Sequence, residues 1–166
     1  MSISTRYIKI GMVASIALFF SLVAFDNIID FTSNFPALQH VLSMDTTFHI
    51  SSLMKRAIIN PSIQWGSYLV IVTWEILTAT LCWIGCFRLL WYINSDSGVF
   101  HIVKSTALIG LFCGFLLYMV GFVVIGGEWF CMWQSKIWNA QNAAGLFVSF
   151  ILFVMIFLQQ PEGFTS

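Results

Sequence analysis

Charge is scarce in this chain. Charged residues make up 8% of its 166 residues, against about 25% in ordinary soluble domains. Seven basic side chains balance seven acidic ones, so no net field favours nucleic acid or an acidic partner. The sequence has four cysteines, Cys82, Cys86, Cys113 and Cys131, without a C-x-x-C spacing. Three fall in apolar stretches, and Cys131 alone cannot close an intramolecular bridge, so no disulfide framework is expected. No Asn-x-Ser/Thr sequon occurs, since Asn60 is followed by Pro61. The histidines His40, His49 and His101 lie outside the apolar stretches, so no pair on facing helices is expected to hold a haem. The sequence shows no nucleophile–base set, metal cluster, phosphate-binding loop or pair of buried acids. No catalytic residue, cofactor or metal is therefore assigned, and an enzyme is not expected.

Long apolar runs are what the chain has. Four extend over about 8–25, 68–93, 105–125 and 140–158 in a composition that is 59% hydrophobic. A hydrocarbon core of roughly 30 Å needs about 20 mostly apolar residues to be crossed as a helix. The expected fold is all-α: one integral membrane domain, 1–166, built as a four-helix transmembrane bundle. The lipid bilayer is its first partner. Seventeen phenylalanines suit lipid-facing surfaces, and Trp and Tyr suit the headgroup belts. Arg6 and Lys9 precede the first run as in a signal peptide, but Leu22 stands at the –3 position before the best cleavage point. The run is read as an uncleaved anchor.

Orientation follows from the basic residues. Arg6, Lys9, Arg88 and Lys104 fall on one side and Lys55, Arg56 and Lys136 on the other. The first helix then decides, with both termini expected in the cytoplasm. The outer loops become 26–67 and 126–139, and short amphipathic surface helices are expected there. Asn34 with Pro36 starts one, with Phe35, Leu38, Val41 and Leu42 on a shared face. Ser51 caps another that ends at Asn60-Pro61. Trp129 and Trp133, four apart, are placed on one helical face in the second outer loop. Such tryptophans anchor at the interface or bind a partner or lipid headgroup.

Glu75 is the sharpest polar signal. It lies about seven residues inside the second run, roughly 10 Å deep, where an ionised carboxylate facing lipid costs at least a few kcal/mol. Counting depth on the other helices groups it with Tyr118, Ser149 and Ser21 in one polar layer. That layer serves either packing or a proton or cation site. Arg88, about 13 residues away, is too far to pair with Glu75 and is expected to snorkel to the headgroups. Cys82, Cys86 and Cys113 read as small packing residues. Two stripes of small residues, Gly110, Gly114 and Gly121 with Tyr118, and Gly11, Ala14, Ser21 and Ala24, suit close helix contact. They would serve packing within the monomer, a homo-oligomer, or contact with another integral membrane protein.

Three places in the chain resemble a known family. One is Asn34-Phe35 followed by His40-Val41-Leu42-Ser43-Met44-Asp45-Thr46. The second is Glu75 within its span. The third is Gly127-Glu128-Trp129-Phe130, then Met132-Trp133-Gln134-Ser135 and Trp138-Asn139. Over nearly its whole length the chain is similar to the bacterial "predicted small integral membrane protein" family, a four-span domain of unknown function. The resemblance implies a bacterial inner-membrane location, and it carries over no catalytic residues. All three places fall on the expected outer side or outer half. The two outer loops are expected to pack as a cap, with Asp45 and Glu128 accepting hydrogen bonds from loop backbone or from Gln134 and Asn139. The alternative is that each acid caps a local turn. The functional expectation is a non-enzymatic accessory or scaffolding subunit binding another membrane protein or lipid through Asp45, Glu128, Trp129, Trp133, Gln134, Trp138 and Asn139. The alternative is a small transporter or channel-like protein with a site at Glu75 and Tyr118.

Overall fold

A computed structural model describes residues 3–50 and 52–161. It is helical throughout, and no strand occurs among the described residues. The proposed cap residue Ser51 lies outside them. Four helices are long and apolar enough to cross a membrane: α1 (Ile3–Ile29), α3 (Pro61–Trp91), α4 (Ser97–Leu116) with its continuation to Trp129, and α5 (Gln141–Gln159). The short α2 (Phe31–Ser43) follows α1 after a single residue. The spans form a ring in which α1 packs on α3, α3 on α4, α4 on α5, and α5 closes back onto α1.

The first three spans are longer than their apolar runs suggest, while α5 matches its run in length. α1 reaches Ile29 rather than 25, because Asn27-Ile28-Ile29 contains no breaker. It buries Arg6, Ile10, Val13, Ala17, Phe20 and Ala24, alternating steps of four and three that make one helical stripe. Gly11 is not part of that stripe, since a Cβ there would meet nothing within 4 Å. α3 begins at Pro61 because Asn60 Oδ1 accepts the Ser62 N–H at 2.9 Å and Pro61 occupies the first turn. The same dipeptide that was expected to end a surface helix starts a span. The expected helix before it is only a 3-10 turn, Met54–Arg56. At 31 residues α3 is about 46 Å long, well beyond a hydrocarbon core of roughly 30 Å. Asn34 does not cap α2 but lies within it, its amide donating to Asp26 O at 3.3 Å.

One end of the bundle is basic. Arg6 donates to Ile93 O and Ser95 O at 2.6 Å each. Lys9 and Lys104 both donate to Gln160 O, at 2.8 and 3.1 Å. These carbonyls lie at or just beyond the C-terminal ends of α3 and α5, where the helix dipole is negative and carbonyls lack helical partners. Lys9 and Lys104 are each only 1% exposed. Lys104 stands one residue before the apolar run 105–125, yet α4 starts eight residues before 105 and carries it inward. Arg88 does not reach for headgroups alone; it donates to Thr106 Oγ1 of α4.

Above this end, α3 and α4 approach closely. A Cβ at Gly85 would stand 2.5 Å from Ala107 Cα, and one at Gly110 would stand 2.7 Å from Cys82 N. Backbone contact of this kind is the usual means of helix association in lipid. Cys82, Leu89, Phe100, Ala107 and Leu111 fill the core beside it.

Candidate functional site

Beyond Gly114 the two helices part. From Leu117 to Trp129 the fourth span winds as a π-helix, an unusually long run for a form that mostly occurs as single turns. Just before the change, Trp74 Nε1 donates to Cys113 O across the gap at 2.9 Å. A Cβ at Gly121 would meet only the Leu117 side chain of its own helix, at 3.8 Å. The divergence of α3 from the π-helical segment opens a cavity of about 1000 Å³.

The roof of this cavity is the cap end of the molecule. Leu38, Val41 and Leu42 of α2, with Phe130 and Met132 of the second long loop, close over it. The cap has its own small core of Leu42, Met44, Phe130 and Cys131. Its two halves are joined by Phe48 N–H donating to Gln134 Oε1 and Thr46 Oγ1 donating to Ser135 Oγ, both at 2.9 Å. Among the described residues, three non-glycine residues have positive φ: Met44 at 56°, His49 at 52° and Cys131 at 55°. All three are in the cap. A left-handed conformation costs about 1–2 kcal/mol per residue and persists only where surrounding contacts over-determine it.

The lining grades in polarity. Asn27, Asn34, Ser67, Tyr68 and Trp138 supply its polar groups, while Val70, Ile71, Trp74, Leu117 and Val120 lie deeper and are apolar. No charged side chain lines it among the described residues. Val70 and Val120 are 63% and 42% exposed, so the wall between α3 and the π-helical segment faces outward to lipid.

Glu75 lies just behind this cavity, 2% exposed. Both carboxylate oxygens accept from Asn27 Nδ2 of α1, at 3.0 and 2.8 Å. Tyr68 Oη in turn donates to Asn27 O at 2.7 Å. Tyr118 packs its ring among Phe20, Phe122 and Phe147 at centroid distances of 5.6, 5.4 and 5.1 Å. No hydrogen bond joins Tyr118 to Glu75 among the described residues. Ser149 donates to Gly145 O of its own helix at 2.9 Å. Ser21 donates to Ala17 O and accepts from Trp83 Nε1 at 3.0 Å, which puts it level with Trp83, eight residues below Glu75 along α3. The structure therefore does not gather these four side chains into one hydrogen-bonded layer. Asn27, missed because Asp26 was taken to end the first span, is the partner that Glu75 has.

The loops within 26–67 and 126–139 pack against each other, and Asp45 and Glu128 have partners other than those expected. Asp45 Oδ2 lies 2.7 Å from His40 Nδ1, and the His40 ring stacks on Trp138 at 4.8 Å. Glu128 Oε1 accepts from Gln141 Nε2 at 3.3 Å, and Asn139 Oδ1 accepts the Gln141 N–H at 3.0 Å. Trp129 and Trp133 do not share a helical face, because the left-handed Cys131 turns the chain between them. Arg56 lies 4.6 Å over Trp129, and Trp133 meets Phe48 edge-on at 6.0 Å.

Among the described residues, no group of three or more His, Cys, Asp or Glu is placed to hold a metal ion. Cys82, Cys86, Cys113 and Cys131 are free thiols. What the arrangement offers chemically is a largely apolar volume, open on its lipid-facing wall, with a neutral polar upper rim. No curated protein and no solved structure matches the chain. Residues 5–161 match the family described as "predicted small integral membrane protein (DUF2165)", and the chain belongs to that family of integral membrane proteins of unknown function.

Proposed function

We propose that this is a non-enzymatic accessory protein of the bacterial inner membrane that binds a lipid chain in the cavity beneath its cap. The supporting observation is the cavity itself. About 1000 Å³ of mostly apolar lining is at the upper end of the range for pockets that hold a small molecule. Its exposed wall at Val70 and Val120 offers entry from the bilayer without passage through water. On this reading the basic end, with Arg6, Lys9, Arg88 and Lys104, is the cytoplasmic one, and the cap covers the outer leaflet. Purification in a mild detergent followed by native mass spectrometry tests this reading. Wild type is expected to retain lipid, and Ile71→Trp and Val120→Trp, which fill the volume, are expected to lose it while keeping the thermal midpoint. Equal retention by all three proteins overturns the reading.

A second reading, transport of a proton or cation through Glu75, draws support from one fact. This deeply buried carboxyl has only the neutral Asn27 amide as a hydrogen-bond donor among the described residues, and intramembrane acids often mark ion pathways. Flux in proteoliposomes that disappears in Glu75→Gln would favour it over binding alone.

A further inference from the structure

From the polarity of the cavity we infer that its occupant is an uncharged single-chain amphiphile of the cap-end leaflet, a lipid whose head carries hydroxyl or amide groups but no phosphate or carboxylate. The inference rests on the lipid-binding reading and narrows it to a ligand class.

The polar groups and the apolar depth follow the direction of a lipid in that leaflet. Asn34, Ser67 and Tyr68 stand on the cap side, and Trp74 and Leu117 lie deeper. Along α3, six residues separate Tyr68 from Trp74, about 9 Å of helix. A chain seated there has its head among amides and hydroxyls and its tail against aliphatic side chains. The polar rim can make hydrogen bonds to such a head. Asn27 Oδ1 accepts no hydrogen bond from any described residue, while its Nδ2 is held by Glu75. An amide oxygen on the cavity wall suits a donor such as a hydroxyl group.

Charge is the discriminating property. An anion placed in this rim would find no basic side chain among the described residues of the lining. Arg56, in the cap above, lies over Trp129 and donates to Trp129 O at 3.3 Å. An ion buried without a partner is heavily penalised, whereas a hydroxyl that keeps its hydrogen bonds is not. The roof of Leu38, Val41 and Leu42 also prevents a bulky head from escaping upward unless the cap opens.

Binding of three probes with the same oleoyl chain separates these properties: mono-oleoylglycerol, oleoyl lysophosphatidylglycerol and oleate. The full-length protein in a non-lipid detergent would be titrated with each and read by native mass spectrometry. Mono-oleoylglycerol is expected to bind at least 10-fold more tightly than either anion. Ser67→Lys, which brings a cation to the rim, is expected to narrow or reverse that ratio; its thermal midpoint, compared with wild type, reports whether it folds. Equal affinity for all three probes overturns the neutral-head inference and leaves the lipid-binding reading standing. Binding of none overturns both.

Discussion

The basic half of the bundle and the cap half are held together by different physics. Toward the basic end, α3 and α4 meet backbone to backbone, at Gly85 against Ala107 and at Gly110 against Cys82. Toward the cap, the same two helices separate, and polar side chains bridge the gaps: Asn27 to Glu75, Tyr68 to Asn27, Trp74 to Cys113 and Gln39 to Gln64. Lipid tails are as apolar as leucine, so neither half gains much from hydrophobic burial between spans. Close contact serves where small residues allow it. Hydrogen bonds serve where the helices must stand apart to leave a cavity. Where α3 and α4 stand apart to leave the volume, contact between helices thus falls to polar side chains. At the basic end, by contrast, buried Arg6, Lys9 and Lys104 bond loop and helix-end carbonyls while the helices themselves meet at glycine.

The largest expected effect is the contrast between glycines of the two halves. Gly85→Ala and Gly110→Ala each force a methyl group against the backbone of the facing helix, and overpacking of this kind costs about 1–3 kcal/mol. Gly121→Ala places its methyl beside the cavity, with only Leu117 in ordinary contact, and the change should lie within about 0.5 kcal/mol of wild type. Thermal unfolding in detergent checks this. Equal losses at Gly110 and Gly121 would mean that the cavity is closed in solution and the two halves pack alike.

Next in size is the Asn27–Glu75 bridge. Glu75→Leu leaves the Asn27 amide without its acceptor, at a cost of about 1–3 kcal/mol, while Glu75→Gln keeps an acceptor oxygen and should lose less. Asn27→Ala combined with Glu75→Leu should cost less than the sum of the two single changes, because both remove the same bonds. Tyr118→Phe combined with Glu75→Leu should be additive within about 0.5 kcal/mol. The reverse pattern of coupling would place the partner of Glu75 on the π-helical segment Leu117–Trp129 and break the contrast between the two halves.

The sequence made the four spans legible because hydropathy over about 20 residues reports a whole helix crossing lipid. It was poorer at their ends. Asp26 and Asn27 look like the start of a loop by hydropathy, yet the helix runs on because its backbone has no reason to stop there. Asn60-Pro61 is an N-terminal signal as readily as a terminator, and only the neighbouring helix settles which. The meeting of the outer loops could be anticipated from their aromatic and polar residues, but not the pairing of Gln134 with Phe48 or of Asp45 with His40. Such pairings depend on left-handed turns at Met44 and Cys131, for which neither residue type gives a signal. The cavity was not legible at all. It arises from the angle between α3 and the widened fourth span, and no periodicity encodes an empty volume.

The smallest expected effect tests whether the cap and the bundle are one cooperative unit. Arg56 links the loop between α2 and α3 to the end of the π-helical segment by lying over Trp129 and donating to its carbonyl. At an exposed site a cation–π contact is worth about 0.5–1 kcal/mol, so Arg56→Ala should hardly move the thermal midpoint of the spans. The cap is held by few buried side chains and carries the strained residues, which puts it at the low-stability end of the molecule. Hydrogen exchange should therefore rise in residues 44–58 of Arg56→Ala while α3 and α4 near Gly85 and Gly110 stay protected. If exchange instead rose equally at both ends, the cap would be unfolding only together with the bundle. The cavity would then have no roof able to open on its own, and its occupant would have to enter through the wall at Val70 and Val120.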